Sequence, residues 1–204
     1  ALHYHQVDVF LEQNKLKKPI LIILPTSLIG NWKVEVEKFT PKLKYLALYG
    51  NDRGFKFRDI DKVDIVFTTY SLVVRDFDIL QKKEFEYIIL DEAQKIKNPT
   101  SKATQVIKKL NSNYKLALSG TPIENHLGEL WSIFSFVMPG FLDSYKVFKK
   151  VFQNPIEKEK DFSKKELLYK KIKPFVLRRT KEKVATELPE KVEITKYAEF
   201  SEDE

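Results

Sequence analysis

The sequence predicts a layered α/β fold with a mostly parallel sheet, and three observations carry that prediction. Five short apolar runs recur: "ILIIL" (20–24), "YLALY" (45–49), "DIVFTT" (64–69), "YIILD" (87–91) and "KLALSG" (115–120). They are continuous rather than alternating, the pattern of strands buried on both faces of a parallel sheet. Segments between several of them place apolar residues at helical spacing. Four of the runs end in polar or small residues, which is where ligands gather in an open parallel sheet.

Each element follows in order. After the first run, Pro25, Thr26 and Ser27 lead into Trp32, Val36 and Phe39, an i, i+4, i+7 stripe that stops at Thr40-Pro41. The third run ends in Thr68, Thr69, Tyr70 and Ser71, where strand propensity and helix capping are the alternative to a functional role for the two threonines. The fourth ends in the adjacent acids Asp91 and Glu92. Ala103, Val106, Ile107 and Leu110 make the next helical stripe, with Asn98 or Thr100 as its cap and Pro99 in its first turn. The fifth run ends in Ser119, Gly120 and Thr121. Beyond it Leu127, Leu130, Trp131 and Phe134 form a helical stripe, and 141–152 and 166–172 read as helices. No further clear strand appears until 191–200. Trp32 and Trp131 both lie on apolar stripes and read as core.

With 204 residues, 43% hydrophobic and 32% charged, the chain can bury a core and is expected to be soluble. No apolar run approaches the roughly 20 residues of a membrane span, so no membrane partner is expected. The N-terminus lacks signal-peptide character and an initiator Met, which suggests a segment of something longer. Cysteine is absent, which excludes disulfides and thiolate metal sites and fits a reducing compartment. His3, His5 and His126 have no metal-ligand spacing, and the first two read as solvated. Residues 141–181 hold 13 Lys and Arg against 5 Asp and Glu, while 182–204 hold 3 against 8. The basic stretch suits either an anionic polymer or a solvated lysine-rich surface.

Asp91 and Glu92 leave a strand in different directions. One carboxylate can hold a hydrated Mg²⁺, and its neighbour can orient or deprotonate a water beside a γ-phosphate. Alternatively Asp91 caps the next helix and Glu92 is solvated.

The wider sequence bears on that choice. "DEAQ" (91–94) resembles motif II of superfamily 2 helicases and translocases. "LALSGTPIENHLGELWSIFSFVMPGF" (116–141) resembles their motif III in the extended form of Swi/Snf-related ATPases of the chromatin-remodeller type. "LIILPTSLIGNW" (21–32) resembles motif Ia, "FTTYS" (67–71) motif Ib, and "PFVLRRTKEKVATELPEK" (174–191) the signature closing the first lobe. The matches are in order and span nearly the whole chain.

The resemblance implies the N-terminal RecA-like lobe of a Swi/Snf-family DNA translocase. On that basis 1–140 is the lobe core, 141–190 a helical insertion with the signature segment, and 191–204 a strand or linker towards a second RecA-like lobe. ATP and Mg²⁺ are the implied cofactors, and double-stranded DNA the implied partner. Asp91 would ligate Mg²⁺ through water, Glu92 would act as general base, and Gln94 would sense the γ-phosphate. Ser119, Gly120 and Thr121 would couple hydrolysis to lobe movement. Thr26, Ser27, Thr69, Ser71 and, more weakly, Asn125 would hold DNA phosphates, contacts that grip backbone without reading sequence. Arg178 and Arg179 either contact phosphate bidentately or lock the appendage to the core, with the second role favoured. The location implied is the nucleoid-bearing cytoplasm of a prokaryote or the nucleus of a eukaryote.

One departure stands out. None of the six glycines precedes a Lys-Thr, so the phosphate-binding loop of such ATPases is missing. Residues 2–14 resemble the helix that follows that loop, so the sheet is expected to be incomplete at its N-terminal edge and exposed there. Two readings follow: an inactive piece of an ATP-driven translocase, or a degenerate lobe that binds DNA or protein without turnover.

Overall fold

The computed structural model describes residues 17–120 and 127–178. They fall into two compact units, one ending at Asp161 and the other beginning at Phe162. The first holds a five-stranded sheet of β1 (Ile20–Leu24), β2 (Tyr45–Ala47), β3 (Ile65–Thr69), β4 (Glu84–Leu90) and β5 (Asn111–Ala117), in the order β2-β3-β1-β4-β5. Every pairing is parallel, as the continuous apolar runs predict.

β1 sits at the centre, between β3 and β4. All five of its side chains are fully buried because both faces of the sheet are covered. Alternation along the strand divides them. Leu21 and Ile23 join Val66, Ile88, Leu90 and Ile107 in one core. Ile20, Ile22 and Leu24 join Ile29, Trp32, Val36 and Phe67 in the other. Each fully buried aliphatic side chain contributes about 1.5–3 kcal/mol, which is why β1 is apolar throughout.

The flanking strands depart from the expectation of burial on both faces. β2 is only partly buried. β5 has one strand neighbour among the described residues, β4, and its Tyr114 and Leu116 are 56% and 39% exposed. It also begins at Asn111, ahead of the apolar run, because backbone pairing from Glu84↔Asn111 onward does not depend on side chains.

Helix boundaries follow local capping. A 3₁₀ turn at Thr26–Leu28 runs directly into α1 (Ile29–Phe39). α1 stops where the Thr40 amide and hydroxyl both donate to the Val36 carbonyl, at 2.8 and 3.0 Å. α2 (Tyr70–Arg75) follows β3 directly, with Thr69 as its cap. α3 (Lys102–Lys108) is capped by Ser101, whose Oγ accepts from the Thr104 amide at 3.3 Å. The expected caps are wrong: Asn98 Oδ1 instead accepts from the Thr100 amide and hydroxyl, at 3.0 and 2.8 Å. That local turn consumes Asn98 before the helix starts, and Pro99 lies within it.

α4 (Leu127–Val137) buries Ile133 and Phe136 in the first core. Trp131, expected as core, is only partly buried. Its Nε1 donates to the Asp143 carbonyl at 3.1 Å, and Lys108 Nζ sits 4.9 Å from its ring centroid. An indole on the flank of an apolar stripe keeps its polar end accessible, which spacing alone does not distinguish from core.

The helix expected from 141 begins later, at α5 (Tyr145–Phe148), capped by Ser144. Left-handed backbone at Gly140 (φ 85) and Asp143 (φ 59) turns the chain before it. α5 passes through a π turn at Lys149–Gln153 into α6 (Asn154–Lys158), whose first turn holds Pro155. A proline there lacks the amide an unbroken helix requires, which accounts for the local widening.

In the second unit, α7 (Phe162–Ile172) starts before the predicted 166 and buries Leu168. The helix read at 2–14 and the strand read at 191–200 lie outside the described residues.

Candidate functional site

Strand register brings four polar chain ends onto one edge. Leu24 lies opposite Thr69, Ile23 opposite Leu90, and Leu90 opposite Ala117. The ladder continues past the strands: the Asp91 amide donates to Ile23 O at 2.9 Å, Leu118 N to Leu90 O at 2.8 Å, and Ala93 N to Leu118 O at 2.8 Å. Pro25-Thr26-Ser27, Thr69-Tyr70-Ser71, Asp91-Glu92 and Ser119-Gly120 therefore all emerge at the carboxyl margin of the sheet.

The acidic part of this margin is wired internally. Glu92 has left-handed backbone, φ 53 and ψ 53, a conformation that costs a non-glycine residue about 1–3 kcal/mol. Surrounding bonds hold it there. Asp91 Oδ1 accepts from the Glu92 amide at 3.0 Å, and the Lys95 amide donates to the Glu92 carbonyl at 2.9 Å. The Tyr70 hydroxyl donates to the Asp91 carbonyl at 2.7 Å. Burial first, then the nearby Asp91 and Glu92 charges, push the Tyr70 pKa up, so it remains a neutral donor.

The two acids face different partners. Asp91 Oδ2 accepts from Trp32 Nε1 at 2.8 Å. Glu92 Oε2 accepts from Gln94 Nε2, and Gln94 Oε1 accepts from the Ser119 hydroxyl at 3.1 Å. A relay of Ser119, Gln94 and Glu92 thus links the end of β5 to the second acid. Asp91 does not serve as a side-chain cap for the 3₁₀ turn at Ala93–Ile96; its carboxylate is shared between the next amide and the indole.

At β1 and β3 the margin is looser. Thr26 and Ser27 are exposed. Thr69 is buried, and its Oγ1 accepts from the Leu72 amide at 3.3 Å. It also shares a 3.2 Å hydrogen bond with the hydroxyl of Ser71, which is exposed. Thr69 therefore caps α2, and the capping reading of the sequence applies to it. Thr121, Asn125 and Arg179 lie outside the described residues; Arg178 is exposed, in the second unit.

Sequence reasoning did not find Trp32 and Tyr70 as part of this site. Trp32 had one available signal: a buried indole N–H needs an acceptor, and the nearest polar group to an apolar core is at a strand end. Nothing in the local sequence marked Tyr70 as the donor to Asp91.

A five-stranded parallel sheet of this order, covered by helices, is a RecA-like fold. The chain belongs to the SNF2-related domain family, whose match spans residues 6–204. It is similar to an SWI2/SNF2 ATPase core of Sulfolobus solfataricus solved in complex with dsDNA, at 42% identity and a TM-score of 0.79, over 86% of this chain and 36% of that one. It is 43% identical over 194 residues to an uncharacterized ATP-dependent helicase of Mycoplasma genitalium, covering 94% of this chain and 18% of the relative. It is 38% identical over 195 residues to the TATA-binding protein-associated factor MOT1 of Saccharomyces cerevisiae, covering 89% of this chain and 10% of that protein. The chain thus spans a minor part of the curated relatives it matches.

The donor set fits a hydrated Mg²⁺. Each Asp91 oxygen accepts one of the hydrogen bonds above and keeps lone pairs for metal-bound water. Among the described residues no group of three or more His, Asp or Glu side chains is placed to hold a metal.

Proposed function

We infer that the chain is the first lobe of an ATP-driven translocase that moves along double-stranded DNA. The observation that carries this reading is the Ser119–Gln94–Glu92 relay beside Asp91 at the carboxyl edge of the sheet. The ordered motifs and the dsDNA-bound relative support it. Mg²⁺–ATP, when bound, supplies the phosphoanhydride and a cation that neutralises its charge.

The chain's own residues divide the remaining work. Asp91 would hold the cation through water, with the direction of its Oδ2 set by the Trp32 indole. Glu92 takes the proton of the attacking water as general base. Gln94, bonded to both Glu92 and Ser119, registers the γ-phosphate, and Ser119, Gly120 and Thr121 pass that state towards a second RecA-like lobe. Thr26, Ser27, Ser71 and Asn125 offer hydroxyl, amide and backbone donors to DNA phosphates, contacts without sequence readout, while Thr69, buried as the α2 cap, positions Ser71 through their shared hydrogen bond. The 204 residues contain no Gly-Lys-Thr loop, so this stretch alone neither binds ATP tightly nor hydrolyses it.

The test is ATP turnover by the full-length protein with and without duplex DNA, alongside Glu92→Gln. Duplex DNA is expected to stimulate turnover. The substitution is expected to lower kcat about 10²–10⁴-fold while nucleotide binding persists. No turnover by the full-length protein would leave the binding-lobe reading in its place. Turnover retained by Glu92→Gln would remove Glu92 from the role of base.

A further inference from the structure

The bond between Trp32 and Asp91 joins two parts of the margin that the reading above treats separately. Trp32 is 1% exposed and packs in one core with Ile29 and Val36, its ring centroid 6.2 Å from that of Phe67. From that packed position its N–H reaches across 59 residues of sequence to Asp91 Oδ2. The same helix, α1, continues without a break from the Thr26–Leu28 turn, where Thr26 and Ser27 are exposed. Ser27 and Trp32 are separated by roughly 8 Å along that helix.

We propose that Trp32 is a positioning residue through which a phosphate held at Thr26 and Ser27 alters the setting of the Asp91 carboxylate. The inference rests on the proposed nucleotide and DNA roles and adds the link between them. A short helix moves as a unit, and close packing around the indole leaves it no slack. Asp91 is held at two points, Oδ1 by the Glu92 amide and Oδ2 by the indole. Moving the second point turns the carboxylate about the first. DNA binding and nucleotide binding are then coupled, and coupling is reciprocal. If the indole merely satisfied its own buried N–H, its loss would lower stability and leave that coupling intact.

The experiment measures the dissociation constant of the full-length protein for duplex DNA, with and without the Mg²⁺ complex of a non-hydrolysable ATP analogue. The readout is the ratio of the two constants, so changes common to both cancel. The wild type is expected to show a ratio about fivefold or more from unity. Trp32→Phe, and Trp32→3-benzothienylalanine, which keeps the bicyclic shape without an N–H, are expected to bring the ratio within about twofold of unity. If Trp32→Phe fails to fold by circular dichroism, the isostere decides. A wild-type ratio of unity, or a wild-type ratio retained by the isostere, overturns the inference. DNA-stimulated turnover in the same preparation separates the two levels: with turnover present, only the inference falls, and with turnover absent, the translocase reading falls as well.

Discussion

At the ends of β4 and β5 the polar residues are bonded to one another, whereas Thr26 and Ser27, at the end of β1, face solvent. Asp91, Glu92, Gln94 and Ser119 each have a side-chain partner within the site before any ligand arrives. Thr26 and Ser27 are exposed, and Ser71 shares one hydrogen bond with Thr69 while remaining exposed. The difference follows the chemistry proposed for each part. Stabilising charge during a reaction requires dipoles fixed in advance, since reorganising them would consume the gain. Gripping a polymer that slides requires donors that are free to bind and release.

Breaking the wired part is expected to have the largest effect. Gln94→Ala removes both halves of the relay, and the loss of alignment at Glu92 is expected to lower kcat of the full-length protein about 10²-fold. Steady-state turnover with a thermal melt as control checks it, and an unchanged kcat in a folded variant would separate the relay from catalysis. On the open part, the double substitution Thr26→Ala with Ser27→Ala is expected to weaken duplex binding about tenfold, equally for unrelated sequences. It should leave the slope of affinity against salt nearly unchanged, because no charge is removed. Anisotropy titrations at several salt concentrations read both quantities.

Two smaller effects concern stability. Tyr70→Phe removes the hydrogen bond to the Asp91 carbonyl and is expected to cost about 0.5–1.5 kcal/mol. The same residue gives a pH dependence. Burial raises its folded-state pKa above the ordinary 10.0, so the unfolded chain loses that proton first. The contribution is complete below about pH 10 and is lost as pH rises beyond it, by up to about 1.4 kcal/mol per pH unit. Urea midpoints at pH 9 and pH 11 should therefore fall less in Tyr70→Phe than in the wild type. The smallest expected effect is Thr68→Val. Thr68 Oγ1 is buried with no hydrogen-bond partner, so the near-isosteric apolar residue is expected to raise stability by about 1 kcal/mol. Equilibrium unfolding measures it.

The legibility of these regions in sequence differed for physical reasons. β1, the first part of β3 and the end of β4 were plain because burial on both faces favours continuous apolar residues. β5 was found at its apolar end only, since the backbone pairing of Asn111 and Ser112 leaves no apolar side-chain signature. The cap of α3 was misplaced because Asn98, Thr100 and Ser101 are all good caps, and only the folded turn shows which one is already spent. Trp131 and Trp32 had the same helical spacing, yet one lies on the flank of its helix and the other in the core.

What the sequence determined by itself was the parallel α/β lobe, the family, and the identity of the polar residues at each strand end. These depend on apolar periodicity and short motifs, which are local properties of the chain. Tertiary structure alone decided that Asp91 is held by an indole from α1, that Glu92 is joined through Gln94 to Ser119, and that Thr69 is occupied as a cap while Thr26 and Ser27 face solvent. The first two of those contacts span 59 and 25 residues or pass through a third side chain, and hydrogen bonds at that separation are set by strand register and packing.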